Sequence, residues 1–207
     1  MKLAVVTNDR LKEEFLSKPI PGSASLCFVK DPRDIPADSS VIFDLLFVCN
    51  RERISQLRQF LPRPVFVNAV AHTLSRIQAP FIRINAWPTF LGRAIAEIAT
   101  LPGDEYLAED LLGKLGWKYQ LVPDITGMIS PRITGAIINE AYFTLDEKVS
   151  TKEEIDTAMK LGTGYPFGPF EWCEKIGVKA VREMLVQLSN ENNLYEVSTL
   201  FMNENIV

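Results

Sequence analysis

Apolar positions follow two different rhythms along the 207-residue chain. Up to about residue 123 they come as short, often β-branched runs separated by polar stretches. Beyond residue 127 they recur every three to four positions. The first rhythm is that of buried strands, and the second is that of helices with one apolar face.

Lys2–Thr7 predicts a buried strand. Leu11, Phe15 and Leu16 then repeat at helical spacing across Asp9–Ser17, and Pro19–Gly22 ends that helix. Ser25–Val29 and Val41–Val48 predict the second and third strands, with a turn over Asp31–Asp34 between them. Arg53–Leu61 predicts a short helix stopped by Pro62 and Pro64. Val65–Asn68, Phe81–Ile84, Ile95–Thr100 and Lys118–Pro123 predict further strands. Asp104–Leu115 predicts a helix ended by Gly116. Strands alternating with short helices imply a mostly parallel sheet covered on both faces, so the first half is of the α/β class.

In the second half, Ile129, Ile133, Ile137, Ala141 and Leu145 fall every four residues and predict one long helix with that stripe as its apolar face. Ser150-Thr-Lys-Glu153 reads as a capping box that opens a helix running to about Leu161. Gly162–Pro169 is a rigid Gly/Pro loop. Phe170–Ile176, Val178–Leu188 and Leu194–Met202 predict three more helices. The change of rhythm divides the chain into an α/β domain, 1–123, and an all-helical domain, 124–207.

Charge alters this picture in one respect. The net charge is -4, which excludes strong non-specific attraction to nucleic acid. Residues 1–123 carry 15 basic and 13 acidic side chains, whereas residues 124–207 carry 7 and 13. The first half therefore suits a phosphate-bearing ligand better, with scattered solvated charge as the plainer reading. The longest apolar runs, such as Val41–Cys49 with Asp44 inside, are too short to span a membrane. No basic segment followed by an apolar one opens the chain, so a cytoplasmic location is expected. Cys27, Cys49 and Cys173 are far apart and lack metal spacing, so neither a disulfide framework nor a zinc site is expected. Cys49 and Cys173 read as small buried hydrophobes. Trp87, Phe90 and Trp172 read as core or interface residues, and His72 is the single imidazole.

One segment is far more specific than any periodicity. Asp156–Gly162 and Gly164–Glu171 reproduce almost residue for residue the Asp-Thr-Ala-Met-Lys-Leu-Gly helix end and Gly-Tyr-Pro-Met-Gly-Pro-Phe-Glu loop of 3-hydroxyacyl-CoA dehydrogenases. Asp124–Arg132 resembles that family's lead into the first helix of its C-terminal domain. Ile84–Ile98 resembles the strand region that holds its catalytic His and Glu. The resemblance implies a shortened Rossmann-like domain followed by a helical domain through which two copies pair. It also implies a place in fatty-acid metabolism, NAD as cofactor and an acyl-CoA as ligand.

The family's chemistry moves hydride from a 3-hydroxyacyl thioester to nicotinamide, with a His as base and a Glu orienting it. By the resemblance, Glu97 is that Glu. The His position falls on Asn85, or on Ile84 if Pro88 is used to align it, and neither residue is a base. The substrate-holding Asn falls on Pro131, and the Asn-Thr-Ser-Ser segment on Asn68–Ala71. Where the family has Gly-x-Gly-x-x-Gly, Thr7–Glu14 has no glycine. Asp9, Glu13 and Glu14 are expected to repel a pyrophosphate there. The expectation is a family scaffold without NAD and without turnover, that is, a pseudoenzyme with Glu97 paired to Arg83 or Arg93. The alternatives are an active, divergent NAD-dependent dehydrogenase using Glu97 as base, or a structural interaction protein. For the last, Ile129, Ile133 and Ile137 or the Leu185–Leu188 stripe would be the dimer face.

Overall fold

A computed structural model describes residues 1–192 and 195–204. The chain divides into two compact units, residues 1–128 and 129–207. This boundary lies five residues beyond the expected one. The reason is that Asp124 and Ile125 bond to Arg83 and so belong to the sheet unit.

The first unit runs β1 (Lys2–Val6), α1 (Asp9–Leu16), β2 (Ser25–Val29), β3 (Val41–Asp44), α2 (Arg51–Arg58), β4 (Val65–Val67), α3 (Leu74–Ile77), β5 (Ile82–Ile84), β6 (Ile95–Ala99), α4 (Glu105–Leu115) and β7 (Lys118–Leu121). The seven strands form one sheet in the order β2-β1-β3-β4-β5-β6-β7. All neighbours are parallel except β5 and β6. Residues 85–94 between those two contain no helix, and a helical crossover is what a parallel return usually needs. The chain therefore doubles back.

Alternation in β1 sets the layers. Leu3 and Val5 join α1 and α4 on one face through Leu11, Phe15 and Leu112. Ala4 and Val6 join α2 and α3 on the other through Leu57, Leu74 and Ile77. Phe15 lies edge-on to Phe43 and Trp117 at centroid distances of 5.2 and 5.4 Å. Strand order reverses at β1, which places the crevice of this fold at the C-terminal ends of β1 and β3.

Three boundaries differ from expectation for visible reasons. β3 stops at Asp44, because that side chain turns to accept from the Leu46 amide (3.1 Å) and Arg53 (2.7 Å). α2 starts at Arg51 because Asn50 caps it, accepting from the Arg53 amide at 2.8 Å. α3 falls in the stretch after His72 that the sequence leaves as either helix or loop. Its cap, Thr73, makes no side-chain cap bond, and the Leu74 amide is held instead by Asp124, 50 residues away, at 2.9 Å.

The second unit consists of α5 (Ser130–Asp146), α6 (Lys152–Thr163), α7 (Pro169–Ile176), α8 (Val178–Glu191) and α9 (Thr199–Met202). The expected last helix began at Leu194, which lies outside the described residues. α5 corrects the stripe reading. Its buried face is Pro131, Thr134, Gly135, Ile138, Ala141 and Tyr142, while Ile129 and Ile133 are exposed. A strict four-residue repeat advances by about 400°, so it drifts roughly 40° around the helix at each step. Leu185 and Leu188 are buried core, not a free face. The capping box of α6 is Thr151 with Glu154, one residue later than expected. Cys173 is buried as expected, whereas Cys27 and Cys49 are partly exposed. Among the described residues no helix is long and apolar enough to cross a membrane.

Candidate functional site

At the crevice, the turn after β1 is closed by its own side chains. Asn8 caps α1, its Oδ1 accepting from the Leu11 amide at 3.0 Å. Thr7 is buried and its hydroxyl donates to the Asn8 carbonyl at 3.0 Å. Asp9 puts a carboxylate in the first turn. A helix N-terminus attracts an anion through free amides and its positive end. Here the Leu11 amide is taken by Asn8 and a carboxylate stands in the first turn.

The neighbouring strand exits are stitched together. Asn68, just past β4, donates through Nδ2 to the carbonyls of Leu45 (3.1 Å) and Ala86 (3.2 Å). Its Oδ1 accepts from the Ala86 amide at 3.1 Å. The side chain thus ties the ends of β3 and β5 across β4. Asn68→Ala should cost about 2 kcal/mol in urea unfolding, since it leaves backbone groups unsatisfied. At the end of β3, burial pushes the Asp44 carboxyl up, and the bidentate Arg53 pair opposes that rise.

The antiparallel β5–β6 ladder brings together the two residues that the sequence singled out. Arg83 pairs with Ala99 and Ile84 with Ile98. The next pair is Asn85 opposite Glu97, with the Asn85 amide donating to the Glu97 carbonyl at 3.0 Å. Asn85 is buried, and its side-chain oxygen accepts from the Trp87 amide at 3.4 Å.

Arg83, one of the two arginines expected beside Glu97, lies in the middle of β5. It is fully buried and pairs with Asp124 at 2.5 Å. Arg93 is in the field of Glu97. Burial pulls the Arg93 guanidinium down and the Glu97 charge holds it up. His72 lies five residues past β4, two strands away from β6, and is buried.

Sequence reasoning missed the function of Glu14. Its carboxylate accepts from the amides of Thr89 (2.8 Å) and Gly92 (3.3 Å). One turn on, Lys18 donates to the Arg93 carbonyl at 2.7 Å. Two charged groups of α1 and its C-terminal flank therefore pin the loop that joins β5 to β6. Thr89 has φ 75°, a left-handed conformation that this anchorage sustains. The i, i+4 spacing was visible, but its target 75 residues away was not.

In the helical unit Pro131 occupies the first turn of α5, where a missing amide costs nothing and no side-chain donor exists. Asp156 of α6 accepts from the amides of Phe170 (2.8 Å) and Glu171 (3.1 Å), holding the start of α7. Burial lifts its carboxyl while those two bonds lower it. Cys173 is pushed to about 11 by burial. At pH 8 it should resist a thiol reagent until the protein unfolds, whereas Cys27 should react in the native state; timed labelling with mass spectrometry checks this.

Residues 127–202 match the family model of the 3-hydroxyacyl-CoA dehydrogenase C-terminal domain. The chain is 38% identical over 69 residues to the 3-hydroxyadipyl-CoA dehydrogenase of Escherichia coli K12, a stretch that is 33% of this chain and 14% of that protein. It is 39% identical over 84 residues to a 3-hydroxybutyryl-CoA dehydrogenase of Bradyrhizobium diazoefficiens, covering 41% and 29%. The matched stretch thus spans less than a third of either relative. In three dimensions the chain resembles the (S)-3-hydroxybutyryl-CoA dehydrogenase PaaH1 of Ralstonia eutropha with a TM-score of 0.71 at 17% identity, over 97% of this chain and 92% of that one. It also resembles the 3-hydroxybutyryl-CoA dehydrogenase of Escherichia coli K12 with a TM-score of 0.62 at 20% identity, over 86% and 41%. At such identities the likeness establishes the fold: a Rossmann-like sheet unit followed by a helical one.

Proposed function

We propose that this chain keeps the 3-hydroxyacyl-CoA dehydrogenase scaffold without its hydride transfer. The observation that carries the reading is Asn85 opposite Glu97 on the β5–β6 ladder. An amide has no proton equilibrium near neutral pH, so it cannot take a hydroxyl proton as a general base must. The turn at Thr7–Asp9 supports the same reading. NAD does not fit it, because the Leu11 amide is committed to Asn8 and Asp9 stands where a pyrophosphate would come.

An acyl-CoA is the ligand class this reading retains, and a second copy of the chain is its partner. The exposed Ile129, Ile133 and Leu161 of the helical unit support that pairing. Ile133→Lys should then shift the species seen by light scattering from dimer to monomer.

The deciding assay follows NADH absorbance with acetoacetyl-CoA and pure protein. No turnover above the uncatalysed background is expected. Measurable turnover would overturn the reading. Loss of that turnover in Glu97→Gln would then assign the base to Glu97, in an active, divergent dehydrogenase. Thermal unfolding with single ligands is the companion measurement. At about 100 times its dissociation constant, a ligand of the folded state adds roughly 2.7 kcal/mol. A shift is expected with acetoacetyl-CoA and none with NADH.

A further inference from the structure

A cavity lies in the sheet unit between α2 and the end of α3. Its volume is about 460 Å³, within the range of small-ligand sites. α2 lines it with Arg51, Ile54, Ser55 and Arg58. That spacing, i, i+3, i+4, i+7, is a single stripe of the helix. The facing wall is Arg76, Ile77 and Gln78, and no carboxylate lines the cavity.

We propose that this trough binds an organic phosphate, with its phosphoryl oxygens on the arginines and its carbon part on Ile54 and Ile77. Two acidic groups near α2 are committed elsewhere. Asp44 takes Arg53 on the core side (2.7 Å), and Glu52 takes the Gln56 amide (3.1 Å). The two remaining arginines of the helix, Arg51 and Arg58, both line the trough. They are seven residues apart, about 10 Å along the helix axis, so they flank the apolar floor from its two ends.

Arg58 is already placed. Its guanidinium donates to the carbonyl of Gln78 across the trough, and Gln78 ends α3 in a left-handed conformation (φ 55°). A guanidinium held in this way loses little freedom when it grips a ligand. Its planar fork matches two phosphoryl oxygens at once. A small molecule fits better than a nucleic acid, because the arginines surround one compact cavity and the chain as a whole is acidic. The inference stands apart from the hydride-transfer reading, since none of these residues takes part in it.

Calorimetric titration of the full chain at low ionic strength, with phenyl phosphate, inorganic phosphate and phenol, tests it. Phenyl phosphate should bind, inorganic phosphate should bind several-fold more weakly, and phenol should not bind. Arg51→Ala with Arg58→Ala should weaken phenyl phosphate by about tenfold or more, the loss of charge-assisted bonds. Arg51→Ala alone changes one exposed side chain, and an unchanged melting temperature separates its effect from misfolding. No heat at millimolar phenyl phosphate, or equal affinity in the variants, overturns the proposal. Equal binding of inorganic and phenyl phosphate overturns the part assigned to Ile54 and Ile77. A single-stranded oligonucleotide that binds more tightly than phenyl phosphate, and is lost with the same arginines, overturns it in favour of nucleic acid.

Discussion

An Arg83→Met protein is expected to lose about 3–5 kcal/mol of stability in the sheet unit, the usual result of breaking a buried ion pair from one side. Arg83 is the largest fully buried side chain, in the middle of β5. Its Nε donates to the Ala69 carbonyl at 2.8 Å, and its terminal nitrogens reach Asp124, Val70 and Ile125. Methionine fills part of the volume but takes the Arg83 donor from the Ala69 carbonyl, whereas the Val70 and Ile125 carbonyls keep the amides of Gly127 and Met128 at 2.9 and 3.2 Å. Asp124 loses its counter-charge while still holding the first amide of α3. Urea unfolding followed by far-UV circular dichroism checks the size. Asp124→Asn should cost less, because its side chain is 21% exposed and an amide still bonds. If Arg83→Met costs under about 1 kcal/mol, the cluster is not what joins the segment after β7 to the sheet.

Gly168→Ala should be nearly as damaging to the helical unit, at about 3 kcal/mol. Gly168 has an ordinary φ of -75°, so backbone conformation is not the obstacle. Space is. An added methyl would run into the Cα and Cβ of Asp156, which are part of α6 and cannot swing aside. Relieving the clash moves Asp156 away from the amides of Phe170 and Glu171, which loosens the start of α7. Gly135→Ala is the informative control. Its methyl would meet the Cε of Met184, the movable end of a flexible side chain, so a smaller cost is expected. Near-UV circular dichroism of Trp172, against which Tyr165 packs at 5.3 Å, reports the local change.

The strands were legible because a buried strand is a contiguous apolar run, and β1 shows both faces of its sheet in five residues. The Gly/Pro loop before α7 was legible for a similar reason, since its residues act on their immediate neighbours. The features that escaped are those in which one side chain serves a distant backbone. Asp124 caps α3 from 50 positions away. Glu14 and Lys18 hold a loop that lies some 75 positions on. An arginine inside an apolar strand such as Phe81–Ile84 gives no local sign of where its carboxylate is. At the candidate site, the antiparallel register of β5 and β6 brings the backbone of Asn85 to that of Glu97. The basic trough depends on α3, a four-residue helix with no cap of its own, and no periodicity reveals such an element.

The β5–β6 ladder also bears on how many base changes separate position 85 from a titratable side chain. The spacing of positions 85 and 97 is fixed by backbone pairing and does not depend on which side chains occupy them. Asparagine and histidine codons differ by one base. A single nucleotide change would thus set an imidazole on the residue whose amide bonds to the Glu97 carbonyl. The turn after β1 is different, because opening it takes several coordinated replacements, each also removing a cap or a packing contact of α1. Placing a base at position 85 is thus a short step in genetic distance, whereas building a dinucleotide cradle after β1 is a long one.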